Sequence, residues 1–74
     1  MSRVPVYFVT VTEFEGGQRE FEYRSGTPLR RDSHLRNRPH EGTSLRAYVV
    51  QRVVRDPSGR FDGLIDAEQW IASG

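Results

Sequence analysis

The residues with chemical potential gather in one stretch, 25–44. It holds Arg30, Arg31, Arg36 and Arg38 within nine positions, interspersed with Asp32, Ser33, His34, His40 and Glu41. Asp32, Ser33, His34 and Glu41 are the residue types of a hydrolase triad. They are near neighbours in the chain, whereas a triad is assembled in space by a scaffold that aims its members at one another. No nucleophile elbow accompanies them. His34 and His40, with Asp32 or Glu41, are the types that ligate a metal. Nothing has the i, i+4 spacing by which helical histidines share one ion, so two histidines in a polar stretch read as solvated. Gly16-Gly17 lacks the following helix and lysine of a phosphate loop. The absence of cysteine excludes disulfides, thiolate metal sites and a cysteine nucleophile. The chain is therefore expected to be non-enzymatic, with no cofactor and no metal.

What remains is guanidinium chemistry. All eleven basic residues are Arg, a bias that a GC-rich genome produces without selection on function. It nevertheless supplies planar forks suited to carboxylates, phosphates and aromatic faces. Arg30, Arg31, Arg36 and Arg38, flanked by Arg24 and Arg46, could grip nucleic-acid phosphates or an acidic protein surface. The competing reading pairs them with Glu13, Glu15, Glu20 and Glu22. The net charge is +1, and the isoelectric point of about 8.3 lies below the range of about 9 usual for a dedicated nucleic-acid binder. A second candidate surface is the strand face Arg46-Tyr48-Val50-Arg52-Val54, where Arg beside an aromatic could stack unpaired bases. The alternative there is cross-strand pairing of Arg46 and Arg52 with Glu20 and Glu22. The candidate binding residues are thus Arg30, Arg31, Arg36, Arg38, Arg46, Tyr48 and Arg52.

The elements that would position them follow from periodicity. Residues 4–14 alternate as a strand with Val4, Val6, Phe8, Thr10, Thr12 and Phe14 on one face and Tyr7, Val9 and Val11 on the other. Both faces are apolar at the start, which implies cover on both sides. Glu15-Gly16-Gly17-Gln18 reads as a hairpin turn and 19–24 as the return strand. A three-residue loop pairing Glu15 with Arg19 and Val11 with Tyr23 avoids setting Glu13 against Glu20. Residues 25–44 form a polar, Arg-rich loop, long enough to be functional or mobile, with a short turn of helix conceivable over 33–38. Leu45–Arg55 is a strand, Asp56-Pro57-Ser58-Gly59 a type I turn, and 60–65 a returning strand that Gly63 weakens or bulges. Asp66 as N-cap, Gln69 closing a capping box and an Ile65–Trp70 staple predict a helix over 67–72, with Trp70 packed on the sheet.

The expected architecture is one α+β, mainly β domain over 1–74. Two antiparallel hairpins (β-β-loop-β-β-α) form a curled four-stranded sheet with a short C-terminal helix. So small a core yields no more than about 3–5 kcal/mol, which leaves little to hold a strained active site. One short helix cannot cover such a sheet, so a barrel-like curl, the central loop or a homodimer must. Without cysteine, signal peptide or apolar span, the expected location is the cytoplasm. The expected function is protein binding, as an inhibitor or adaptor, with nucleic-acid binding through Arg30–Arg38 as the alternative. In size and plan the chain is similar to small accessory and inhibitor proteins of phages and mobile elements, though no motif carries that likeness.

Overall fold

Alternation with period two builds every regular element of this chain. The computed structural model describes residues 3–71. Its strands are β1 (Val6–Thr12), β2 (Gln18–Arg24), β3 (His34–Asn37), β4 (Arg46–Val54) and β5 (Gly63–Trp70). They form one sheet of order β2-β1-β5-β4-β3. β1 and β5 run parallel, and the other pairs are antiparallel. Among the described residues the fold is all-β, with no helix.

This corrects the expected α+β plan in two places. The first is the C-terminal helix. Residues 63–70 are a strand, inserted between β1 and β4. Gly63, Ile65 and Ala67 point inward and are buried, while Asp66, Glu68 and Trp70 face out. The helix signals at Asp66 and Gln69 are local. Two ladders, one to each neighbour, outweigh them, because strand preference is set by packing on both sides more than by intrinsic propensity. Gln69 serves instead as a long-range acceptor, its Oε1 taking the Phe14 N–H at 2.9 Å. Residue 72, the end of the expected helix, lies outside the described residues. The second correction is the sheet itself, which has five strands and not four. His34–Asn37, inside the stretch expected to be an Arg-rich loop, pairs with β4 as an edge strand.

The first hairpin has a three-residue loop, but it is Phe14–Gly16. Glu13 N–H bonds Gly17 O at 2.8 Å, and Gly16 closes the turn at φ 94°, the left-handed last position such loops require. The register pairs Val11 with Arg19, Val9 with Phe21 and Tyr7 with Tyr23. It differs from the expected pairing of Val11 with Tyr23, and it keeps Phe21 and Tyr23 on the inner face.

That inner face is the core. Tyr7, Val9, Val11, Tyr48, Val50, Ile65 and Ala67 are buried on it. In a flat sheet, strands four places apart would lie about 19 Å from each other. Here Arg19 Nη2 of edge strand β2 donates to Asn37 Oδ1 at the end of edge strand β3 at 2.9 Å. The sheet therefore curls until the Arg19 end of β2 reaches the Asn37 end of β3 over the core. The segment between β2 and β3 covers what remains open. Leu29 is buried there, and its N–H bonds the Tyr7 hydroxyl at 3.1 Å. Of the covers expected for the sheet, the curl and the central segment are the ones that cover this inner face.

Two irregularities shape the curl. A bulge between Val50 and Arg52 leaves Gln51 without a partner in β5, which adds twist. At Gly63 the Tyr7 ring lies so close that a Cβ would stand 3.1 Å from it, so glycine is what lets that ring pack on the strand. There is no bulge at Gly63 itself.

Burial ranks the expected costs of truncation. Ile65→Ala, at a site 2% exposed, should destabilise by about 2–5 kcal/mol and leave much of the chain unfolded. Trp70, expected inside, is 40% exposed, so Trp70→Ala should keep the fold with a much smaller loss. Urea denaturation followed by circular dichroism compares the two, and unfolding of the Trp70 variant would place that ring in the core after all.

Candidate functional site

Where the sheet edges converge, charge is buried. Glu13 leaves β1 just past its last strand residue, and its side chain is 4% exposed. Its Oε1 accepts from Arg19 Nε at 2.9 Å and from the Tyr48 hydroxyl at 2.8 Å. Its Oε2 accepts from Arg46 Nη1 at 2.9 Å. Arg19 Nη2 donates to the Tyr48 oxygen as well as to Asn37, at 2.9 Å each, and the guanidinium lies 5.3 Å from the Phe21 ring centre. Burial pushes the Glu13 carboxyl up, but the hydrogen bonds from Arg19, Tyr48 and Arg46 outweigh it and hold the group below its ordinary value. Burial raises the Tyr48 hydroxyl. No buried side-chain polar atom among the described residues lacks a partner.

The seven candidate binding residues divide three ways. Arg46 and Tyr48 belong to this internal cluster, and Tyr48 is 0% exposed, so no base can stack on it. Arg52 was expected on their face. The bulge at Gln51 turns it to the opposite side, opposite Asp66. Arg30, Arg31, Arg36 and Arg38 are all exposed and lie on and beside edge strand β3. None of the four makes an ion pair with a described carboxylate.

The triad-like residues do not converge. Ser33 Oγ accepts the Arg30 N–H, His40 Nδ1 lies 3.2 Å from the Glu41 carbonyl, and His34 packs against Trp70 with ring centres 4.6 Å apart. Among the described residues no three His, Asp or Glu gather as metal ligands would, and no helix is long and apolar enough to cross a membrane.

Two features of the outer face were not singled out in sequence. One is a groove of about 270 Å³ beside Trp70, lined also by Asp32, His34, Val49, Gln51 and Glu68. The other is the free edge of β2. Ser25 N–H bonds Pro5 O as Glu13 bonds Gly17. With the β1–β2 register, this makes the odd-numbered residues of β2 the ones that exchange bonds with β1. The N–H and C=O groups of Gln18, Glu20, Glu22 and Arg24 therefore point away along the edge, and all four residues are exposed. Clean alternation over 19–24 could have marked an edge strand. Nothing local marks the groove, whose walls come from three strands.

No family model, no curated protein and no solved structure matches this chain.

The Glu13 cluster makes stability depend on pH. A carboxyl whose folded value is depressed stabilises the fold above its unfolded value and loses that contribution as pH falls through the folded one. Asp56, lowered by hydrogen bonds from Ser58 and the Phe61 N–H, acts in the same direction. The wild-type melting temperature should therefore fall steeply below about pH 4. Glu13→Gln keeps an acceptor oxygen but leaves Arg19 and Arg46 without their charge partner, so it should lower the melting temperature at neutral pH and flatten that acid dependence. Thermal melts from pH 7 to pH 2 test this, and parallel curves for the two proteins would refute it.

Proposed function

We propose that the protein is a non-catalytic protein-binding module of the inhibitor or adaptor kind, which lends the free edge of β2 to an extended segment of a partner. The observation that carries this reading is the edge itself. It is a seven-residue strand whose outward-facing residues are exposed and whose outward backbone groups have no partner among the described residues. Strand addition draws affinity from such groups and specificity from alternate side chains. Glu20 and Glu22 favour a partner strand with basic residues opposite them and repel a second copy of β2. The internal satisfaction of the buried polar cluster supports a non-catalytic role. The absence of cysteine fits a reducing compartment, the cytoplasm.

The test is Glu22→Pro. This change removes an N–H that faces out, so the β1–β2 ladder keeps its bonds. The variant should melt close to wild type and lose the protein partners that wild type retains from its source cells. Undiminished partner retention by the variant, or recovery of nucleic acid alone, overturns the reading.

A second reading rests on Arg30, Arg31, Arg36 and Arg38, four exposed guanidiniums without ion-pair partners among the described carboxylates. They could bind nucleic-acid backbone. Gel shifts on mixed RNA and DNA should then show binding that weakens steeply with salt and disappears when all four become Ala. No shift at low salt removes this alternative.

A further inference from the structure

We propose that the groove beside Trp70 is a binding site for an arginine side chain presented by a protein partner. The indole forms one wall. It stands on the outer face of β5, 40% exposed, and is held by the His34 ring at 4.6 Å and a 48° tilt. Those two residues sit on strands separated by β4. Trp70 pairs there with Ala47 and His34 with Val49, and the small Ala47 side chain leaves the rings room to meet. The indole is thus fixed before any ligand arrives.

The other walls are negative. Glu68 lies two residues before Trp70 on the same face of β5. Asp32 lies two residues before His34 and is held at φ 72° while its N–H bonds Val50 O at 2.8 Å. Neither carboxylate has an ion-pair partner among the described residues. Arg31 beside Asp32, Arg36 opposite Ala47 and Arg52 opposite Asp66 border the groove, and none of them pairs with Asp32 or Glu68. The cation–π contacts of the described residues all involve Arg19 or Arg60, so the indole is not already engaged by one.

An aromatic plane beside two free carboxylates suits a guanidinium better than an ammonium. The planar group stacks on the ring while its fork of donors reaches the oxygens. A groove of about 270 Å³ admits one such side chain. β1 lies between this strand cluster and the β2 edge, so either surface can fail without the other.

Trp70 is the only tryptophan and reports on the site directly. N-acetyl-arginine amide, titrated at constant ionic strength, should shift its emission saturably in the millimolar range. The neutral isostere N-acetyl-citrulline amide should not, and N-acetyl-lysine amide should act more weakly. Asp32→Asn combined with Glu68→Gln, both at exposed positions, should keep the circular dichroism spectrum and raise the half-saturation concentration about tenfold. Equal responses to the arginine and citrulline probes, a stronger response to lysine, an undiminished response in the double variant, or no response at all each overturns the assignment.

Discussion

A buried carboxylate holds this fold closed. Glu13 accepts hydrogen bonds from Arg19 on β2 and from Tyr48 and Arg46 on β4, and Arg19 continues the chain of bonds to Asn37 on β3. Edge strand β2 is thereby tied over the core to β4 and β3, which lie at the opposite side of the sheet. The requirement is severe because the domain is small and has no helix among its described residues. A five-stranded sheet must cover its own inner face, and curling is the available way. Curling brings the edges together, and polar groups carried there lose water. They are tolerated because each finds a partner, since an unpaired one would cost more than the pair contributes.

The closure also sorts the two faces. Inside, Tyr7, Val9, Val11, Val50 and Ile65 pack around Tyr48, whose ring fills the core while its hydroxyl reaches the charged cluster. Phe21 lies 6.3 Å from that ring, although two strands separate β2 from β4. Outside, Phe61 of the β4–β5 connection lies against Phe8 of β1. A tilted Phe8–Phe61 pair at 5.3 Å, the acidic residues of β2 and β5 and the Trp70 groove all remain accessible. The segment with Leu29 covers the inner face, and Asp66, Glu68 and Trp70 of β5 stay exposed on the outer one. The surface available to partners follows directly from how the core is covered.

Three of the five strands were legible, whereas β3 was expected as loop and the end of β5 as helix. Alternation in 6–12, 18–24 and 46–54 marks half-buried strands. Asp56-Pro57-Ser58-Gly59 marks a turn that the structure keeps, with Gly59 N–H on Asp56 O at 3.0 Å. Of the candidate site, the exposure of Arg30, Arg31, Arg36 and Arg38 was legible as well. The binding face drawn through Arg46, Tyr48 and Arg52 was not. A one-residue bulge reverses the direction of every side chain beyond it, and no residue type at Gln51 announces that bulge.

The sequence by itself determined what depends on near neighbours: strand periodicity, the glycine-permitted turns and the absence of thiol chemistry. Tertiary structure alone decided what depends on distant ones. Asp66-Ala67-Glu68-Gln69 carries helix-start signals, yet it is a strand because β1 and β4 both offer it a ladder. Glu13 looks like any surface glutamate until Arg19, Arg46 and Tyr48 converge on it from 6, 33 and 35 residues away. Trp70 looks like a core anchor until its place on a central strand turns it outward. Local preferences are worth tenths of a kcal/mol to about one. Ladder pairing and burial on two sides are worth several, so wherever the two disagreed, the long-range contacts prevailed.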